Sequence, residues 1–200
     1  KEVLKTGQWM LRRSNAGISH NDFTWQPIGV WTEAPDWNPN PECGGGLHGN
    51  MSDSDGYWAD GKDLDFCAVE EVVKIDNEKM KCHRAMILLR NKLPDIKIWK
   101  GSLYVSGCDL KGVTLPKEIG GSLNVRGCDL KGVTLPKEIG DWLDVRGCDL
   151  KGVTLPKEIG GSLDVRGCDL KGVTLPKEIG GSLDVRGCDL KGVTLPKEIG

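Results

Sequence analysis

The chain has 200 residues, a formal net charge of −2 and 28% charged side chains, which is room for two small domains. Neither half carries a basic excess, which argues against the long-range attraction to phosphate on which nucleic-acid binding rests. No apolar run approaches the roughly 20 residues of a membrane helix.

The sequence opens at Lys1 without Met and shows no signal-peptide pattern, so a trimmed chain is the expectation. Composition changes sharply near residue 100. The first half holds six of the seven Trp and all three His. Its apolar residues come in short runs: Gln8–Leu11, Phe23–Trp25, Gly29–Trp31 and Phe66–Ile75 read as strands. Glu78–Lys92 suits either a helix or a strand, with Met80, Cys82 and Met86 to Leu89 as its apolar positions, and Pro94 bounds it. Between these runs lie a loop from Ala34 to Asn50, crowded with Pro, Asn and Gly, and a polar loop from Ser52 to Asp65. The expectation is a small, β-rich α+β domain over residues 1–92.

Chemistry in this half is sparse. Cys43, His48, Cys67, Cys82 and His83 are the candidate zinc ligands, but the close Cys-x-x-Cys pairs of zinc sites are missing, and no metal or other cofactor is expected. Cys43 with His48, or Cys82 with His83, as nucleophile and base lacks an orienting third group. Gly44-Gly45-Gly46 lacks the Lys-Ser/Thr of a phosphate-binding loop. Trp25, Trp31, Trp37 and Trp58 suit the core of a small domain better than a ligand groove. The segment Cys43-Gly-Gly-Gly-Leu-His48 resembles a motif of an uncharacterised phage and bacterial domain in which solenoid repeats often follow. That resemblance implies architecture and no activity.

From Gly101 to Gly200 a 20-residue unit recurs five times, as 101–120, 121–140, 141–160, 161–180 and 181–200. Tyr104, Ser106, Asn124, Asp141 and Trp142 are its departures. A fixed period of this length marks a stacked solenoid, because one unit cannot bury its own apolar residues. In the copy at 161–180, Leu163 and Val165 share one strand face, with Asp164 and Arg166 outward. Gly167 permits the bend that returns Cys168 and Leu170 to the core. Val173 and Leu175 form a second inward pair, and Pro176 ends the strand. Lys177 to Gly180 fit one helical or 3₁₀ turn anchored by Ile179. The expected core ladder is therefore Leu163, Val165, Cys168, Leu170, Val173, Leu175 and Ile179, repeated per coil.

The Leu-x-Val-x-x-Cys-x-Leu and Leu-Pro-x-x-Ile segments resemble leucine-rich repeats of the short bacterial and phage type. The resemblance covers residues 101–200 and reaches back to Leu93-Pro94. It implies a parallel β-solenoid over 93–200; the spacing after Leu-Pro also allows a triangular right-handed β-helix. The N-terminal domain is expected to cap the first coil, with Ile96, Ile98 and Trp99 at the junction.

Cys108, Cys128, Cys148, Cys168 and Cys188 recur once per coil and read as a buried ladder of free thiols, which points to a reducing cytoplasm or a virion. Asp144, Asp164 and Asp184 stack beside Arg146, Arg166 and Arg186 as the candidate interaction surface. One Thr per coil makes a poor ice-binding array. Three functions follow in order: a non-enzymatic repeat scaffold for a protein partner; a self-assembling structural component; and ligand or metal binding by the Cys43–His48 loop. Neither nucleic acid nor membrane is an expected partner.

Overall fold

A computed structural model of the chain describes residues 8–19, 22–51, 61–77 and 79–200. The chain divides into two compact units, Lys1–Pro94 and Asp95–Gly200.

Five antiparallel strands build the first unit: β1 (Trp9–Ser14), β2 (Trp31–Glu33), β3 (Leu47–Met51), β4 (Asp63–Lys74) and β5 (Lys79–Arg90). Their order is β2-β5-β3-β1-β4, and β4 also pairs with β5. Strands β3, β1, β4 and β5 therefore close a ring, and β2 sits on the free stretch of β5. Closure removes sheet edges that would otherwise expose unpaired backbone. Met10, Trp25, Leu47, Cys67, Val69, Met80, Cys82, Ala85 and Ile87 fill the interior.

No α-helix occurs among the described residues, so the helical component of the expected α+β domain is corrected to all-β. The ambiguous Glu78–Lys92 stretch forms β5. Its partner decides the matter: the β-branched run of β4 pairs with it from Asp65↔Arg90 to Lys74↔Met80. The hairpin turn is set by Asp76, whose Oδ1 accepts the Lys79 N–H at 2.7 Å. The expected strand at Phe23–Trp25 is reduced to a single bridge, Ile18↔Thr24. Trp58 and the loop residues 52–60 lie outside the described residues.

β3 emerges from the end of the Gly-rich loop, where no strand was expected. Gly49 permits it, since a Cβ there would press on Met10 Sδ (2.6 Å) and the Leu11 carbonyl (2.8 Å) of β1.

The second unit is a parallel β-solenoid with two short strands per coil. Its strands are β6 (Ile98–Trp99), β7 (Leu103–Tyr104), β8 (Glu118–Ile119), β9 (Leu123–Asn124), β10 (Glu138–Ile139), β11 (Leu143–Asp144), β12 (Glu158–Ile159), β13 (Leu163–Asp164), β14 (Glu178–Ile179), β15 (Leu183–Asp184) and β16 (Glu198–Ile199). The even-numbered strands form one six-stranded sheet and the odd-numbered ones a five-stranded sheet. The expected helical turn at Lys177–Gly180 is thus corrected: Glu178–Ile179 is a strand in a parallel ladder.

Register advances by 20 residues per coil, so each residue stacks on its own copy, as in Leu143↔Leu163 and Ile139↔Ile159. Leu163, Val165 and Leu170 are fully buried, and Cys168, Val173, Leu175 and Ile179 lie in the core with them. Trp99 takes the Ile position ahead of the first full repeat and is buried, whereas Ile98 beside it is exposed.

Two β-turns per coil make the corners. In the second coil Cys128 N–H bonds Val125 O and Val133 N–H bonds Leu130 O, at 3.0 Å each. The third residue of each turn, Gly127 or Gly132, has positive φ, a conformation cheap only for Gly. Another glycine column is required by contact. A Cβ on Gly160 would run into the carbonyl oxygen of Gly140 one coil earlier, and Gly140, Gly180 and Gly200 meet the same obstacle.

Gly160→Ala is expected to destabilise the solenoid by about 1–3 kcal/mol, the usual cost of forcing an atom into a packed contact. A thermal or urea unfolding curve checks this.

Candidate functional site

The Cys43–His48 segment leads into β3. Gly44, Gly45 and Gly46 all have positive φ, and the loop wraps the ammonium of Lys81. This lysine is fully buried. Its Nζ donates to Asn40 Oδ1 (3.0 Å), Glu42 O (2.9 Å) and Gly44 O (2.9 Å), so three oxygens replace its water. The Gly46 N–H is taken by Asp36 Oδ1 at 3.0 Å. Cys43 is exposed, and its Sγ accepts from Lys79 Nζ at 2.9 Å.

His48 is half-buried, and desolvation, reinforced by Lys79 and Lys81, pushes its pKa below the ordinary histidine value. Its Nε2 is buried without a hydrogen-bond partner.

The structure does not gather the five candidate metal ligands. Cys67 and Cys82 lie in the interior of the strand ring, and burial pushes both thiols up, Cys82 to about 12. Cys82 donates to Leu47 O at 3.5 Å. His83 contacts Glu71 Oε1 through Nδ1 (3.0 Å) and stacks on the Trp37 ring. Among the described residues no three His, Cys, Asp or Glu side chains come together in a metal-binding group. The tryptophans are engaged separately: Trp25 is in the core with the Arg12 guanidinium 3.7 Å over its ring, and Trp31 lies under Arg84.

Two kinds of outward acidic column contrast along the solenoid. Asp144, Asp164 and Asp184 are consumed by Arg146, Arg166 and Arg186. Asp144 is fully buried and Asp164 nearly so. Arg146 holds Asp144 at 2.5 Å through Nη2 and reaches Asp164 of the next coil at 3.2 Å through Nε. Arg166 repeats this between Asp164 (2.7 Å) and Asp184 (3.2 Å), and Arg186 closes on Asp184 at 2.6 Å.

The same aspartates cap the turns, since Asp144 Oδ1 accepts the Arg146 N–H at 3.0 Å. Asp129 and its copies do likewise for Lys131 and its copies, at 2.9 Å each. These are local Asx turns. The Asp/Arg columns at positions 144–186 are therefore an internal zipper running along the stack.

The second kind is a glutamate column absent from the sequence reading. Glu118, Glu138, Glu158, Glu178 and Glu198 pair in register along the six-stranded sheet. They are exposed and line a trough of about 870 Å³ with the glycine column. Ile98 stands at one end, and Lys197 joins at the other. None of these glutamates forms an ion pair among the described residues. The available signal was the Glu-Ile-Gly ending of every repeat. Read as a helical turn, it hid the fact that its outward carboxylates stack.

The cysteine ladder is a bonded feature. Cys128, Cys148, Cys168 and Cys188 donate Sγ–H to the carbonyls of Val105, Val125, Val145 and Val165 in the preceding coil, at 3.0–3.2 Å. Desolvation pushes Cys128 up to about 12 and Cys148 to about 11.

Comparison with protein-family models, with curated proteins and with solved structures gives no match. No helix among the described residues is long and apolar enough to cross a membrane. What the residues define is a repeat protein with a parallel β-solenoid.

Two outcomes are expected. Brief alkylation of the native protein should modify Cys43 first and half-buried Cys188 next. Cys67, Cys82 and the four buried ladder cysteines should react only after unfolding, as peptide mass mapping would show.

His48 should make the first unit pH-sensitive. Its folded pKa lies below the unfolded 6.5, so its contribution is present above pH 6.5 and is lost as pH falls below it. Urea unfolding followed by Trp fluorescence at pH 7.5 and 5.5 should show a larger loss for wild type than for His48→Gln.

Proposed function

We propose that the chain is a non-enzymatic repeat scaffold that engages a protein partner through the glutamate trough of its solenoid. The carrying observation is the contrast between the two outward charge columns. The aspartates already have arginine partners within and between coils. The glutamates, one per coil along a continuous trough, have none among the described residues. A column of like charges costs folding free energy unless something opposite covers it. Five stacked, exposed carboxylates that form no ion pair among the described residues, even beside the exposed Lys117, Lys137, Lys157, Lys177 and Lys197, favour a cationic protein surface as partner. Solenoids present extended surfaces of this kind.

The resemblance of the unit to leucine-rich repeats supports the same reading, while that of the Cys43–His48 segment bears on architecture alone. A ligand or metal role for the Cys43–His48 loop is less favoured. Its lysine, its Gly46 N–H and its cysteine sulfur are already engaged by one another or by neighbours.

The test replaces all five glutamates by Gln. Thermal stability should be retained or rise slightly, because no internal partner is lost. A deca-lysine peptide that binds wild type at about 10 mM salt should no longer bind the variant. A marked fall in stability would make the column structural, and equal lysine-peptide binding would remove the trough as the docking face.

A further inference from the structure

Resting on that reading, we infer that the trough's partner is a second copy of this chain, seated by its lysine corner. The argument is one of pitch. Successive glutamates are one coil apart, about 4.8 Å, the spacing of paired strands. An extended peptide running along the stack presents same-side residues about 6.7 Å apart. Over the four intervals from Glu118 to Glu198 it would cover about 27 Å against about 19 Å, and lose register after the first contact. A helix, with its 5.4 Å rise per turn, drifts by about half a coil over the same length. A surface that keeps step with every glutamate must itself advance one strand spacing per charge.

The molecule carries such a surface away from the trough's lining, whereas the equally pitched Lys117, Lys137, Lys157, Lys177 and Lys197 flank the glutamates of their own chain. Lys111, Lys131, Lys151, Lys171 and Lys191 occupy the same corner of successive coils and are exposed. Each is the second residue of a β-turn, as in Leu130–Val133, so its side chain stands at the tip of the corner. The neighbouring Asp carboxylate is turned onto the Lys backbone N–H. The ammonium groups have no ion-pair partner among the described residues.

Five free cations and five free carboxylates on identical pitches are complementary between two copies, whether the stacks run parallel or antiparallel. Single exposed ion pairs contribute little. Five held in register by two rigid stacks form together, which is the gain of multivalency. The contact joins different patches of the two copies, so growth past two copies is open to it.

Light scattering across a concentration series reads the outcome. At about 10 mM salt the apparent mass should rise from 21.8 kDa to at least twice that. At about 1 M salt, where the Debye length is about 3 Å, it should return to 21.8 kDa.

The five-fold Glu→Lys variant and the five-fold Lys→Glu variant should each stay monomeric, and their equimolar mixture should associate. Glu→Gln and Lys→Gln versions, monomeric but folded by circular dichroism, serve where a reversed column fails to fold. Association that salt and all variants leave unchanged would overturn the inference in favour of another contact. Wild type that stays monomeric at low salt would also overturn it. If that monomer still binds deca-lysine, the trough remains a docking face for a different partner.

Discussion

Every coil of the solenoid lies directly on a copy of itself, one strand spacing away, held there by backbone hydrogen bonds between coils and permitted at the glycine column by the missing Cβ. A Cβ at Gly140, Gly160 or Gly180 would strike the carbonyl of the coil before. Once the contact is made, in-register stacking follows for the whole repeat, and each side-chain position must be compatible with its own duplicate. Apolar positions satisfy this readily. Leu on Leu, Val on Val and Ile on Ile fill a continuous core, as expected of a fold that is stable only in the stack.

Polar positions face a harder condition, and the unit answers it in three ways. The cysteine thiol is small enough for the core, and its S–H reaches the Val carbonyl of the preceding coil. The carbonyl already accepts one turn N–H and has a second lone pair to offer. The Asp and Arg columns neutralise one another by an alternation that crosses coils, while each Asp also holds its turn through a backbone N–H. The glutamate and corner-lysine columns form no ion pairs among the described residues. These are the columns that the proposed association would cover.

Much of this was legible in the repeat itself. Period, inward residues and thiol ladder all follow from the alternation of Leu, Val and Cys with polar neighbours, and from Gly at the bends. Lys177–Gly180 was not legible, because four residues with one apolar anchor suit a turn of helix as well as a two-residue strand. Only the neighbouring coils, offering backbone partners at 20-residue offsets, decide for the strand. The same misreading concealed the glutamate trough.

In the first unit the ambiguity of Glu78–Lys92 had the same origin: a long-range partner, β4, settled it. β3 was hidden because Gly49, a poor strand former in isolation, is required by its approach to β1. The buried Lys81 was unforeseeable for a related reason. Its three oxygen partners come from a loop some forty residues away in sequence.

The most direct test of in-register stacking is a pulsed electron-spin distance between labels at Thr114 and Thr194. Both positions are exposed, and the labels would be introduced as non-natural amino acids to spare the cysteines. Four coils at the strand spacing place the two backbones about 19 Å apart, so a narrow distribution near that value, widened by the label arms, is expected. A broad distribution, or one centred well beyond about 30 Å, would contradict the stacked coil on which the core, the zipper and the trough all depend.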